Sequence, residues 1–184
     1  IKELYRCPVG SPLNSSNGKN DFFRQAFSYR AAGDRLFIAG TSGFRVLVFS
    51  GEGKLLNIIS RDIEPLPFSE SDRRDFLRYL QENSPSYVFR DMARRIEFPE
   101  RFPVIFFILS DEEMLYIFTW GKNRYGLETF LYSKNGKFMG KQYLPVHFSS
   151  PVMFSPFTIQ SGKMYQLVED EEKETWVLKI SQVR

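Results

Sequence analysis

Two stretches of the chain carry the same order of apolar, polar and turn residues. VFSGEGKLL at 48–56 matches LYSKNGKFM at 131–139, position by position: an apolar residue, an aromatic, Ser, two turn residues, Gly-Lys and two apolar residues. A glycine between two strand-like runs is typical of a tight turn that needs positive φ. The pattern therefore predicts the same β-hairpin twice.

Counting strand-like segments around these hairpins gives a repeating unit of four. The first set lies at 23–30, 36–40, 45–50 and 54–60, the second at 104–110, 114–120, 128–133 and 138–144, and the third at 157–160, 164–168 and 175–180. Short antiparallel strands in repeated groups of four predict an all-β fold of the β-propeller class. About three four-stranded blades are expected, at 21–60, 104–145 and 152–184. Residues 1–6 form a further strand that either completes the third blade or belongs to a preceding one.

The segment 61–103 departs from this pattern and predicts an inserted helical hairpin. Ser69 and Asp72 have the spacing of a capping box. Apolar residues follow at helical spacing at 76, 77 and 80, and a second apolar helix face is expected from 88 to 96. The insertion holds nearly equal numbers of basic and acidic residues, which indicates solvated helix faces rather than a phosphate-binding patch.

The first repeat resembles the NHL repeat of six-bladed β-propellers. The resemblance rests on DFF at 21–23, GDRLFIA at 33–39, TSGFRVLVF at 41–49 and GK at 53–54. Gly40 stands where that family usually has Asp, and Phe44 where His is common. The resemblance implies a propeller but no particular activity, because such propellers include scaffolds, sensors, RNA binders and a few enzymes. Six blades need about twice this length, so a homodimer or additional blades outside this sequence would complete the ring.

Composition narrows the function classes. The 184 residues carry a net charge of +3, which gives no reason to expect nucleic acid as a partner. One Cys (Cys7) and one His allow neither an internal disulfide nor a Cys/His zinc cage. The longest apolar run, at 104–109, is too short to span a membrane. Because the sequence begins at Ile1 and resembles bacterial propeller proteins, we expect a processed form or a fragment with a secreted or periplasmic location.

Three residues are candidates for ligand binding. His147 lies at the crossing from the second blade to the third, where a propeller places residues near its central channel. Arg45 and Arg124 each precede the third strand of a blade and are placed to hold an anionic ligand; the alternative for both is a salt bridge between blades. For His147 the alternative is a hydrogen-bonded or exposed side chain without chemistry. The acidic run 169–172 lacks the spacing of a calcium loop and predicts a charged turn.

The resulting hypothesis is a non-catalytic binding or scaffold module for a protein, peptide or saccharide partner. No catalytic residue, metal ligand or cofactor is assigned. The alternative hypothesis is a propeller-type, lactonase-like hydrolase with a metal at the central channel. That enzyme would need Asp, Glu, Asn or His side chains gathered from several blades at the channel mouth.

Overall fold

The computed structural model describes residues 23, 28–40, 43–148, 155–170 and 172–183. These residues form a mostly β fold with three antiparallel sheets of four, four and three strands and two helices. The predicted strand at 1–6 and Cys7 lie outside the described residues. So do Asp21, Phe22, Thr41 and Ser42 of the NHL-like motif.

Each sheet is a meander in which every strand pairs with its neighbour in the chain. The first sheet contains β1 (Ser28–Ala32), β2 (Arg35–Ala39), β3 (Phe44–Ser50) and β4 (Leu55–Arg61). The second contains β5 (Ile105–Ser110), β6 (Met114–Asn123), β7 (Gly126–Ser133) and β8 (Phe138–Leu144). The third contains β9 (Phe157–Gln160), β10 (Lys163–Asp170) and β11 (Thr175–Gln182).

The repeated sequence pattern produces the same turn in the first two sheets. Ser50 N–H donates to the carbonyl of Lys54 at 2.9 Å, and Ser133 N–H donates to that of Lys137 at 2.8 Å. The turn glycines, Gly53 and Gly136, have φ of +80° and +82°, where a side chain would be strained. A register shift lies immediately before each aromatic-Ser pair, between residues 48 and 49 and between 131 and 132. The predicted hairpin is therefore present twice.

The two helices lie between the first and second sheets in chain order. Helix α1 (Glu70–Asn83) begins with the predicted capping box, in which Asp72 N–H donates to Ser69 Oγ at 3.2 Å and Ser69 N–H donates to Asp72 Oδ2 at 2.8 Å. Helix α2 (Ser86–Arg95) follows after two residues. Neither described helix has the length and apolar composition needed to cross a bilayer.

Apolar side chains fill the space between the sheets in two clusters. The first joins the first and second sheets through residues such as Phe37, Val46 and Ile117. The second joins the second and third sheets and the helices, and includes Tyr116, Trp120 and Met164. The first strand of the second sheet, β5, lies beside both β1 and β9. The sheets therefore stack in chain order with their first strands adjacent.

Candidate functional site

A cleft of about 440 Å³ opens at one end of the second and third sheets. The β6–β7 turn forms one wall, the connection after β8 forms another, and β10 and β11 supply the floor. Residues lining it are Lys122, Asn123, Arg124, Tyr125, Gly126, Pro145, Val146, His147, Phe148, Gln166, Lys179 and Ser181. We call this the cationic cleft, because its charged lining residues are Lys122, Arg124 and Lys179.

The β6–β7 turn fixes Arg124 and Tyr125 at the rim. Asn123 Oδ1 accepts a hydrogen bond from Tyr125 N–H at 2.8 Å. The Arg124 guanidinium lies 4.7 Å from the centre of the Tyr125 ring and donates to its hydroxyl. Tyr125 is exposed. The turn therefore presents a cation and an aromatic ring together to solvent.

His147 is held in place by a buried glutamine. Its N–H donates to Gln166 Oε1 at 2.9 Å, and Gln166 Nε2 donates to the carbonyls of His147 and Ser155, both at 3.1 Å. The His147 ring nitrogen Nδ1 lies 3.1 Å from Ser155 Oγ. Gln166 is almost fully buried. These bonds fix the backbone that carries the imidazole and leave the residue exposed at the cleft.

Lys122 approaches the cleft from the end of β6. Its ammonium nitrogen lies 3.9 Å from the centre of the Phe148 ring, a distance typical of a cation–π contact. The residue as a whole is exposed, but partial burial of the ammonium lowers its pKa below 10.5, an effect that the charge of Asp72 partly offsets.

The charge of the cleft is positive. Lys122, Arg124 and Lys179 all line it, and none of the described lining residues is Asp or Glu. A concave surface with cations and aromatic rings favours an anionic group that has flat or apolar parts. Such a surface can bind and orient a carboxylate, sulfate or phosphate.

Two of the three predicted ligand-binding residues, Arg124 and His147, line this cleft. Arg45 lies elsewhere, exposed at the start of β3 in the first sheet. Among the described residues, neither arginine forms a salt bridge. The structure thus brings Arg124 and His147 together and leaves Arg45 apart from them.

Sequence reasoning missed Lys122, Gln166 and Lys179. One signal for Gln166 was available. In β10 the buried positions alternate, and Gln166 stands between Met164 and Val168 on the buried side. A glutamine at such a position must find hydrogen-bond partners in the interior, which marks it as a structural support for a neighbouring loop.

A pocket with acidic lining lies at the opposite end of the sheets. It has a volume of about 370 Å³ and is lined by Asp111, Glu112 and Glu113 together with Ser161, Gly162 and Gln182. Asp111 accepts hydrogen bonds from Met114 N–H and the Tyr116 hydroxyl, at 2.8 and 3.0 Å, so it caps the β5–β6 turn. Within the described ranges, no group of three or more His, Cys, Asp or Glu residues is arranged to hold a metal ion.

Comparison with known proteins adds no assignment. Neither a protein-family model nor a curated protein sequence matches this chain.

Proposed function

We propose that the chain is a segment of an NHL-like, six-bladed β-propeller that acts as a non-catalytic binding module. Three features support this proposal. The sheets are antiparallel meanders stacked in chain order, the first strands β1, β5 and β9 are adjacent, and the same bulged hairpin recurs in the first two sheets. In a propeller, adjacent first strands surround the central axis and each meander is one blade.

The proposed ligand is an anionic group on a protein, peptide or saccharide partner, bound in the cationic cleft. The observation that carries this proposal is the presence of Lys122, Arg124 and Lys179 around one cleft whose described lining includes no carboxylate. Tyr125 offers an exposed ring beside the charges, against which a sugar ring or an aromatic side chain can pack. A secreted or periplasmic location is proposed as well, on the resemblance to bacterial propellers.

The test is a binding titration with paired acidic and neutral ligands. Polygalacturonate and poly-glutamate are compared with neutral dextran and poly-glutamine by calorimetry at low and moderate salt. We expect the acidic ligands to bind and Arg124→Gln to weaken binding about tenfold. Arg78→Gln removes one charge from the exposed face of α1 and is the matched control. Equal losses in the two variants would mean that only net charge is sensed, and the proposed site would be wrong.

A further inference from the structure

One face of the third sheet is apolar and open to solvent. The antiparallel register places Tyr165 opposite Ile180 and Leu167 opposite Leu178, so these four side chains share a face, and Trp176 joins them two residues before Leu178. Trp176 is 62% exposed, Ile180 58% and Leu178 55%. We call this set the outer face of the third sheet. An exposed apolar face of this kind marks an interaction surface.

The first two sheets show what such a face is built to contact. The register pairs Arg35 with Ser50, Met114 with Ser133 and Lys163 with Gln182, which aligns the central two strands of all three sheets. Counting from these pairs, the positions of the outer face of the third sheet correspond to Phe37, Ala39, Phe44, Val46 and Val48 in the first sheet and to Tyr116, Phe118, Leu127, Thr129 and Leu131 in the second.

All ten of these corresponding residues are buried. Phe37 and Val46 pack toward the second sheet, and Tyr116 and Leu127 pack toward the third. At each position the side chain is therefore covered by the sheet that follows in the stack. The third sheet carries the same kind of face with no described sheet after it.

We infer that a second copy of this chain covers the outer face of the third sheet, using the exposed part of the outward side of its own first sheet, at β4. This inference rests on the proposed propeller arrangement. The side of the first sheet that faces away from the second sheet carries Leu36, Ile38, Leu47, Phe49, Leu55 and Ile58. Leu55 and Ile58 in β4 are exposed, Leu36 and Leu47 are half-buried, and Ile38 and Phe49 are buried. Two copies related by a twofold axis then form two such contacts and close a ring.

The area of the two faces favours a closed ring over a single face-to-face contact. The strands of the third sheet have four, eight and eight residues and present roughly 300 Å² per face, from the spacing of strands and residues. A stable interface needs about 800 Å² from each partner. Two third sheets stacked on each other supply less than half of that, whereas a ring uses two faces of each copy and so buries more surface.

Charge complementarity points to the same pairing. Glu169 is exposed on the outer face of the third sheet, opposite Trp176 at the β10–β11 turn. Arg45 is exposed on the outward side of the first sheet, at the β2–β3 turn. Because β2 and β10 occupy corresponding places, both turns lie at the same end of the ring. Arg45 of one copy then lies near Glu169 of the other.

The first experiment is light scattering on the whole chain at micromolar concentration. We expect a mass of twice 21.6 kDa. Leu178→Lys places a charge in the apolar face and should give a folded monomer, with its fold checked by far-UV circular dichroism. Tyr87→Lys is the matched control, because Tyr87 is exposed on α2, away from both faces, and should leave the dimer intact. A wild-type monomer, or a dimer that survives Leu178→Lys, would overturn the inference.

The second experiment separates a ring from two stacked third sheets. Glu169→Arg and Arg45→Glu should each weaken dimerisation about tenfold, and the double variant should recover most of the loss. Failure of the double variant to recover would exclude the ring. The ligand titration is repeated on Leu178→Lys: if this monomer still binds acidic ligands, the cleft and the dimer are independent. A wild-type monomer that still binds acidic ligands thus refutes only this inference, and a wild-type dimer that does not bind them refutes only the proposed function.

Discussion

The strongest test of the site architecture is the replacement of Gln166 by methionine. The two side chains have similar size and flexibility, so Gln166→Met keeps the packing of β10 and removes its hydrogen bonds. Three bonds are lost: one accepted from His147 N–H and two donated to the carbonyls of His147 and Ser155. Gln166 is only 1% exposed, so the groups that it bonds lie in or near the interior. Water cannot readily replace the lost hydrogen bonds there.

The expected loss is about 2–4 kcal/mol, from roughly 1 kcal/mol per bond plus the cost of a buried group left without a partner. For a domain of this size that corresponds to a fall in Tm of roughly 5–15 °C. Urea unfolding followed by circular dichroism measures it. Gln160→Met, at an exposed position of β9, is the control and should change the free energy of unfolding by less than about 0.5 kcal/mol.

A loss in Gln166→Met no larger than in Gln160→Met would refute the reasoning. It would mean that the connection after β8 holds its conformation without the glutamine. The variant should also weaken binding of acidic ligands, because the backbone that carries His147 is no longer fixed. If Gln166→Met is as stable as the wild-type protein and binds acidic ligands normally, Gln166 does not support the site.

Three further predictions concern single positions. Gly126→Ala should cost at least about 3 kcal/mol in urea unfolding, because Gly126 has φ +136° and an added Cβ would lie 1.8 Å from the Leu144 carbonyl oxygen. Gly140→Ala, with φ +154° and open space around it, should cost clearly less. Ser69→Ala should cost about 1 kcal/mol through loss of the α1 cap. For Lys122, whose pKa is lowered by burial, the unfolded chain binds the proton more tightly. The stability of the wild-type protein should therefore rise relative to that of Lys122→Met as the pH is raised from neutral toward 10.5, measured by urea unfolding.

Local patterns made most of the secondary structure predictable. The hairpins at 48–56 and 131–139 were visible because the turn needs glycine at one fixed position, and α1 was visible because its cap needs Ser and an acidic residue at fixed spacing. Most strand ends differed by one to three residues where nothing local marks them. The first predicted strand was wrong at its start, because Phe23 lies in a turn and β1 begins at Ser28. Residues 121–123, for example, extend β6 beyond the apolar run through an irregular part of its pairing with β7.

The site was less accessible from the sequence, because its residues come together only through sheet stacking. Arg45 and Arg124 have similar sequence settings, yet they lie on different sheets and only Arg124 lines the cleft. Lys179 was not predicted because it lies in the apolar strand β11, between Leu178 and Ile180, which point to the opposite side of the sheet. The correspondence between the three sheets was also hidden, since Phe44, Leu127 and Trp176 share only size and apolar character. Backbone pairing revealed it where residue identity did not.

The meander order of the sheets has a consequence for how the chain folds. Every described strand pairs only with strands next to it in the chain, so strand pairing within each sheet closes short loops. Short loops lose little entropy on closing, and β proteins with local pairing fold faster than those with distant pairing. Each meander can therefore form early as it emerges during synthesis, and the stacking of one sheet on the next becomes the slower event. Premature association of an uncovered sheet is then the main competing reaction.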